Sequence, residues 1–172
     1  HRRGAVVALG LSILSITVGC TGERPTFADG PDATLSTSTT TAAPRPGTVL
    51  VDTWSAGFCR SFRSWRADAA AAGEDLTARV ADTSDPATVR DSLVDLLDDV
   101  ATRTDAFAEE IRDGTVPDVD DGPGLIEALA HRFDELADTF RGYRDRAADI
   151  DVEDPDRFQS DVDGVVDAMD EG

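Results

Sequence analysis

Few side chains in this sequence are suited to nucleophilic or metal chemistry. The chain has two cysteines, Cys20 and Cys59, and two histidines, of which only His131 lies away from the N-terminus. A catalytic triad needs a histidine beside its nucleophile, and closed zinc sites need four Cys or His ligands. The chain has no Cys-x-x-Cys pair. The sequence therefore indicates no catalytic residue, metal or cofactor.

His131 is the one histidine with acidic neighbours at helical spacing. Glu127, Asp134 and Asp138 share its face of a predicted helix, and Glu127 stands four residues before it, close enough to share a cation. Di-iron bundles direct Glu-x-x-His pairs into the core, and here Ala128 stands three residues before His131. Here the face turns away from the apolar stripe of the same helix. We therefore expect a solvated helix face at His131 and no metal site.

Carboxylates are the abundant reactive group. The chain has 35 Asp and Glu against 16 basic residues, all of them Arg, and a formal net charge of -19. This charge repels phosphate backbones, so we expect no nucleic-acid partner. A hydrolase built on carboxylates needs an acid with a raised pKa inside a cleft, but nearly all acids fall on outer faces or loops. The Asp-rich loops at 118–122 and 149–154 lack the EF-hand spacing for calcium.

The N-terminal residues follow the order of a secretory signal. Arg2 and Arg3 precede 14 uncharged, mostly apolar residues at 5–18, a stretch shorter than the roughly 20 residues of a spanning helix. The stretch ends in Thr17-Val18-Gly19-Cys20 and resembles the lipobox of bacterial lipoproteins, although Thr17 replaces the usual Leu or Val. The resemblance covers residues 1–20. It implies cleavage between Gly19 and Cys20 and attachment of membrane lipid to the Cys20 thiol.

An uncleaved signal anchor over residues 4–20 is the alternative, because 17 residues reach the lower edge of spanning length. Both interpretations place the remainder on the outer face of the bacterial cytoplasmic membrane. Cleavage would divide the chain into a signal peptide at 1–19, a lipidated cysteine with a flexible Ser/Thr/Pro-rich linker at 20–47, and a domain at 48–172. The linker has no apolar periodicity from which a fold could form.

The period of the apolar residues becomes helical from residue 48 onward. Steps of three and four predict helices at about 49–72, 86–112 and 123–148, and a fourth from Pro155 to about Met169. We expect Gly73 to end the first helix and Asp-Pro pairs to begin the second and fourth. No stretch alternates with a period of two, so we predict no sheet. The fold class is all-α, an antiparallel bundle of about four amphipathic helices behind a disordered tether.

The first helix carries an aromatic stripe formed by Trp54, Phe58, Phe62 and Trp65. Such residues serve equally as core or as the lining of a ligand groove between helices, and their spacing does not separate the two. Cys59 lies at the edge of this stripe. If Cys20 is acylated, Cys59 has no partner among these residues, and we expect a small buried hydrophobe, an inter-chain disulfide or a disulfide to a cysteine beyond residue 172.

Arg60, Arg63 and Arg66 form the densest basic cluster on the first helix, in an otherwise acidic domain. Charge compensation by the acidic helices is the simpler interpretation. The alternative is a docking surface for an anionic partner such as lipid headgroups or an envelope polymer.

Two classes of function remain for the mature domain, which resembles small helical envelope lipoproteins of GC-rich bacteria but no specific family. The first is a non-catalytic interaction or ligand-binding module whose partner is an envelope protein or ligand. The second is a carboxylate-dependent envelope hydrolase. The position of the acids on outer faces favours the first.

Overall fold

The computed structural model describes residues 43–171. The predicted signal peptide, Cys20 and most of the predicted linker therefore lie outside the described residues. Within them the chain forms four helices, α1 (Val51–Ala81), α2 (Pro86–Asp113), α3 (Gly122–Ala148) and α4 (Pro155–Glu171). Successive helices pack antiparallel, which confirms the predicted all-α bundle. None of the helices in this part of the chain is long and apolar enough to span a membrane.

The Asp-Pro pairs begin helices as predicted. Asp85 precedes Pro86, and its Oδ2 accepts hydrogen bonds from the backbone N–H of Thr88 at 3.2 Å and from the Thr88 hydroxyl at 2.6 Å. A carboxylate at this position satisfies backbone donors that the first helical turn leaves without partners. The backbone N–H of Arg157 likewise donates to Asp154 at 3.2 Å, at the start of α4.

Helix α1 does not end at Gly73, and the predicted boundary is wrong by about nine residues. A glycine inside a helix costs about 1 kcal/mol. Beyond Gly73, Leu76 is only 3% exposed, and Val80 packs against the apolar cluster to which Leu76 belongs. Burying one leucine contributes about 1.5 to 3 kcal/mol. The packing of these residues therefore outweighs the glycine, and the helix continues to Ala81.

A pair of two-residue strands, β1 (Thr48–Val49) and β2 (Val116–Pro117), was not predicted. They pair in parallel and tie the residues before α1 to the loop between α2 and α3. Two residues are too few to produce a periodic sequence signal. A Cβ atom on Gly122 would stand 2.5 Å from the carbonyl oxygen of Pro117, so this close approach of loop and helix requires glycine there.

The core consists of two apolar clusters at opposite ends of the bundle. All four helices contribute to the first cluster, and α1, α2 and α3 contribute to the second. Ala101, Thr104 and Ala137 lie between the clusters along α2 and α3 and are buried. These small side chains let the two helices approach closely. The buried members of the first cluster are Leu76, Leu93, Leu96, Leu97, Val100, Ala147, Ile150, Val162 and Val165; those of the second are Phe62, Phe107, Ala108, Ile111, Ile126, Ala130 and Phe133.

Candidate interaction surface on helix α1

The arginines of α1 differ from most other arginines of the bundle because they form no ion pair within residues 43–171. Arg60, Arg63 and Arg66 are exposed, and none of them forms an ion pair with any residue that the structure describes. We call these three residues the arginine patch. Arg79 and Arg146 also lack an ion pair within residues 43–171, but Arg146 stands over the ring of Tyr143 at 5.8 Å. Ion pairs are formed by Arg45, Arg90, Arg103, Arg112, Arg132, Arg141, Arg144 and Arg157.

The local sequence explains why the arginine patch forms no ion pair within α1. Residues 53–67 contain no Asp or Glu, the longest such run between residues 43 and 171. Helical ion pairs form between residues three or four apart, and at those positions each patch arginine meets only apolar, small or arginine side chains. Charge compensation through ion pairs, the simpler interpretation from the sequence, is not formed at these arginines within residues 43–171. Like charges three residues apart destabilise the helix slightly instead.

A groove between α1 and α2 runs beside Arg60. Its cavity volume is about 410 Å³, and Ser61 and Glu110 face each other across it, with the Ser61 hydroxyl donating to Glu110 at 2.7 Å. Trp65 and Phe107 line the groove between the two helices. A second cavity of about 420 Å³ shares Asp68 and Arg103 with the first, and four of its nine lining residues are aspartates. The positive character of α1 therefore ends at Asp68.

Trp65 belongs mainly to the core. Its indole N–H donates to the hydroxyl of Thr104 at 3.2 Å, and its ring stacks on Phe107 at 5.9 Å and meets Phe133 edge-on at 5.4 Å. Phe62 is buried, while Trp54, Phe58 and Trp65 are half-buried against the second cluster. The stripe thus packs as core, and one edge of Trp65 also lines the groove.

Thr104 is a structural residue that the sequence analysis missed. It is 0% exposed, and its hydroxyl donates to the carbonyl oxygen of Val100 at 2.7 Å while it accepts from the indole of Trp65. A buried hydroxyl needs such partners. The available signal was a polar residue between Val100 and Phe107 in the apolar stripe of α2.

His131 lies on an exposed helix face. The imidazole is 68% exposed, and its Nε2 stands 3.5 Å from Glu135 rather than near Glu127. Glu127 and Asp134 instead face Arg112 of α2, which donates a hydrogen bond to Asp134. Within residues 43–171 there is no group of three or more His, Cys, Asp or Glu side chains able to hold a metal ion.

The carboxylates do not form an acid pair in a cleft. No Asp or Glu whose burial the structure describes is buried. The hydrogen bond from the Thr88 hydroxyl holds the pKa of Asp85 below its usual range. The guanidinium of Arg45, whose Nε donates at 2.5 Å, does the same to the pKa of Asp118. Both shifts favour the charged form, the opposite of what a general acid needs.

Cys59 is disulfide-bonded, which rules out the buried free thiol among the expectations for this residue and leaves a disulfide to a cysteine outside residues 43–171. It is half-buried at the flank of the aromatic stripe. The other cysteine of the chain, Cys20, lies outside the described residues. A sulfur atom held in a disulfide cannot also carry a diacylglycerol thioether, so the partner of Cys59 bears directly on lipidation.

Comparisons with protein families, with curated proteins and with solved structures yield no match for this chain.

Proposed function

We propose that the chain is a lipoprotein anchored on the outer face of a bacterial cytoplasmic membrane, and that its helical bundle is a non-catalytic interaction module. The lipid is attached through the sulfur of Cys20, the signal peptide ends at Gly19, and the disulfide of Cys59 is then made with a cysteine of another molecule. The partner is an envelope protein that meets the bundle beyond the linker.

The order of the N-terminal residues carries the anchoring part of the proposal. A basic pair, an apolar core of 14 residues and the Gly19-Cys20 junction occur together and in the order of a lipoprotein signal. The residues that follow Cys20 are polar and rich in Ser, Thr and Pro, a composition suited to a tether.

The surface of the bundle supports the interaction part. No carboxylate whose burial the structure describes is buried, and those of Asp85 and Asp118 have lowered rather than raised pKa values. The single observation that favours a binding role is the arginine patch, since three exposed cations that form no ion pair within residues 43–171 stand together on a strongly acidic protein. A hydrolytic site would need a partly protonated acid inside a cavity.

The anchoring test compares two single substitutions in a host that acylates lipoproteins. The parent is expected to incorporate labelled fatty acid and to enter the detergent phase on phase separation. Cys20→Ser should lose both properties. Cys59→Ser is the matched control, because it also removes one thiol, and it should retain both.

Three outcomes would contradict the lipid anchor. If Cys20→Ser stays in the membrane with an uncleaved mass, the signal-anchor interpretation is correct. If the parent takes up no label, the anchor is absent. If only Cys59→Ser becomes labelled, the sulfur of Cys20 is held in a disulfide in the parent. Mass spectrometry with and without reductant identifies that disulfide.

A further inference from the structure

We propose that the arginine patch docks a compact acidic cluster on a protein partner whose surface is otherwise basic. This inference deepens the proposed function and rests on it, because it supplies the chemistry of the partner that an interaction module requires.

The arginine patch lowers the stability of α1 slightly, and this cost argues for a docking role. Arg60, Arg63 and Arg66 repel one another at a spacing of three residues, and no acid within residues 43–171 forms an ion pair with them. Their guanidinium groups therefore keep all of their donors for an outside acceptor. Carboxylates match the planar fork of arginine and accept two parallel hydrogen bonds from it.

The size of the patch favours a compact acidic cluster over an extended anionic surface. Arg66 stands six positions after Arg60, which corresponds to a rise of about 9 Å along the helix. Asp52 and Asp68 bound the acid-free run at its two ends, and Glu110 stands across the groove. A membrane or a long polyanion would cover these acids together with the patch and would be repelled. Two or three carboxylates on one face of a helix fit between them.

The net charge of -19 favours a partner that is basic elsewhere. At physiological salt the Debye length is about 8 Å, so an approaching protein senses the acidic surface of the bundle first and the arginine patch only on contact. Long-range attraction accelerates the encounter with a basic partner, and the local inversion of charge fixes how the two surfaces align. The arginine patch thus determines how the partner aligns on the otherwise acidic surface of the bundle.

The experiment uses the full chain in a neutral detergent with two synthetic helical peptides of about 20 residues, long enough to hold a helix. Both have the same lysine-rich composition and three glutamates. One peptide places the glutamates together on one helical face, and the other distributes them around the helix. Binding is measured by fluorescence anisotropy of the labelled peptides at physiological salt.

Two triple variants separate the patch from net charge. R60Q/R63Q/R66Q removes the patch. R90Q/R132Q/R157Q is the matched control, because it removes three arginines that form ion pairs elsewhere and lowers the net charge by the same three units. We expect the patch variant to bind the clustered peptide about five-fold more weakly than the control variant does, with equal binding of the distributed peptide. Glutamine keeps the helix propensity of arginine, and circular dichroism verifies the helix content.

Several results would overturn the inference. Equal affinity of the two triple variants for the clustered peptide would show that the patch is not used. Stronger binding of the parent than of the patch variant to anionic lipid vesicles would assign the patch to lipid. Self-association of the parent that the patch variant loses would assign it to a second copy of the chain. None of these results depends on the acylation of Cys20, so the two proposals fail separately.

Discussion

At the scale of single residues, the contact between Trp65 and Thr104 joins α1 to α2. The indole N–H has its acceptor in a hydroxyl that is itself hydrogen-bonded to the backbone of α2. The stacking of the ring on Phe107 adds apolar contact at the same place. A polar residue within an apolar stripe therefore orients one of the two tryptophans that pack against the second cluster.

We expect Trp65→Ala to lower the free energy of unfolding by about 3 kcal/mol, because it removes a large side chain from the second cluster and leaves a cavity. Urea unfolding of the variant beside the parent measures the loss. Trp54→Ala, farther from the centre of the cluster, should cost less. An unchanged midpoint for Trp65→Ala would mean that the ring serves the groove rather than the core.

Thr104→Val tests the hydrogen bond separately from the packing. Valine fills a similar volume but cannot accept from the indole N–H, and we expect a loss of about 1 kcal/mol. Trp65→Phe removes the donor, so the double variant should lose less than the sum of the two single losses. Strict additivity in the unfolding free energies would show that this hydrogen bond contributes nothing.

The sequence predicted these sites only in part. The stripe of Trp54, Phe58, Phe62 and Trp65 follows from helical periodicity, which depends on neighbouring residues alone. The hydrogen bond between Ser61 and Glu110 joins residues 49 positions apart and depends on how α1 and α2 are rotated against each other. Whether the arginine patch forms ion pairs with other helices within residues 43–171 depends on the same rotation. The spacing of residues in the sequence therefore indicated a cluster of arginines but could not predict whether acids of other helices would pair with it.

At the scale of elements, the chain specifies the beginnings of helices more clearly than their ends. Asp85-Pro86 combines a side-chain acceptor with a residue that lacks an N–H, and both act locally. The end of α1 was mispredicted because the continuation past Gly73 depends on the burial of Leu76 by residues of other helices. The pairing of β1 with β2 depends likewise on distant residues.

The carboxylate of Asp85 should make the start of α2 sensitive to acid. The pKa of Asp85 is lowered in the folded chain, chiefly by the hydrogen bond from the Thr88 hydroxyl. The contribution of the charged carboxylate to the stability of the fold is therefore complete above the unfolded pKa of about 4. The contribution is lost as the pH falls through the lower folded value. Asp85→Ala should therefore lower the melting temperature at pH 7, and its difference from the parent should shrink below pH 4.

Asp85→Asn is the control for this acid response, because its amide oxygen still accepts the hydrogen bonds without titrating. Its melting temperature should differ from that of Asp85→Ala by a constant amount across the same pH range. A constant difference between the parent and Asp85→Ala would contradict the role assigned to the charge.

At the scale of the whole molecule, two electrostatic effects oppose each other. Ion pairs between α2 and α3, such as Arg144 with Asp98 at 2.8 Å, favour the bundle, while the net charge of -19 favours expansion. The pairs are partly exposed and contribute little. We therefore expect the general repulsion to be the larger effect.

This balance predicts that salt stabilises the bundle. Raising sodium chloride from about 0.05 M to 1 M shortens the Debye length from above 10 Å to about 3 Å and screens the repulsion among the acids. The melting temperature of the chain, followed by circular dichroism, should rise. Sodium sulfate is not a suitable substitute, because it also strengthens apolar burial. A fall in melting temperature would mean that the ion pairs outweigh the repulsion.

Ala101, Thr104 and Ala137 lie between two clusters that we expect to open to different extents, because α4 packs on only one of them. Helix α4 contributes to the first cluster alone, so when it detaches, the first cluster loses Val162 and Val165 while the second keeps every member. Local opening in helical proteins follows such divisions. Amide hydrogens beside the arginine patch should therefore keep their protection from exchange while those of α4 and the end of α1 lose theirs. The end of the molecule that would meet a partner is thus insulated from fluctuations at the other end.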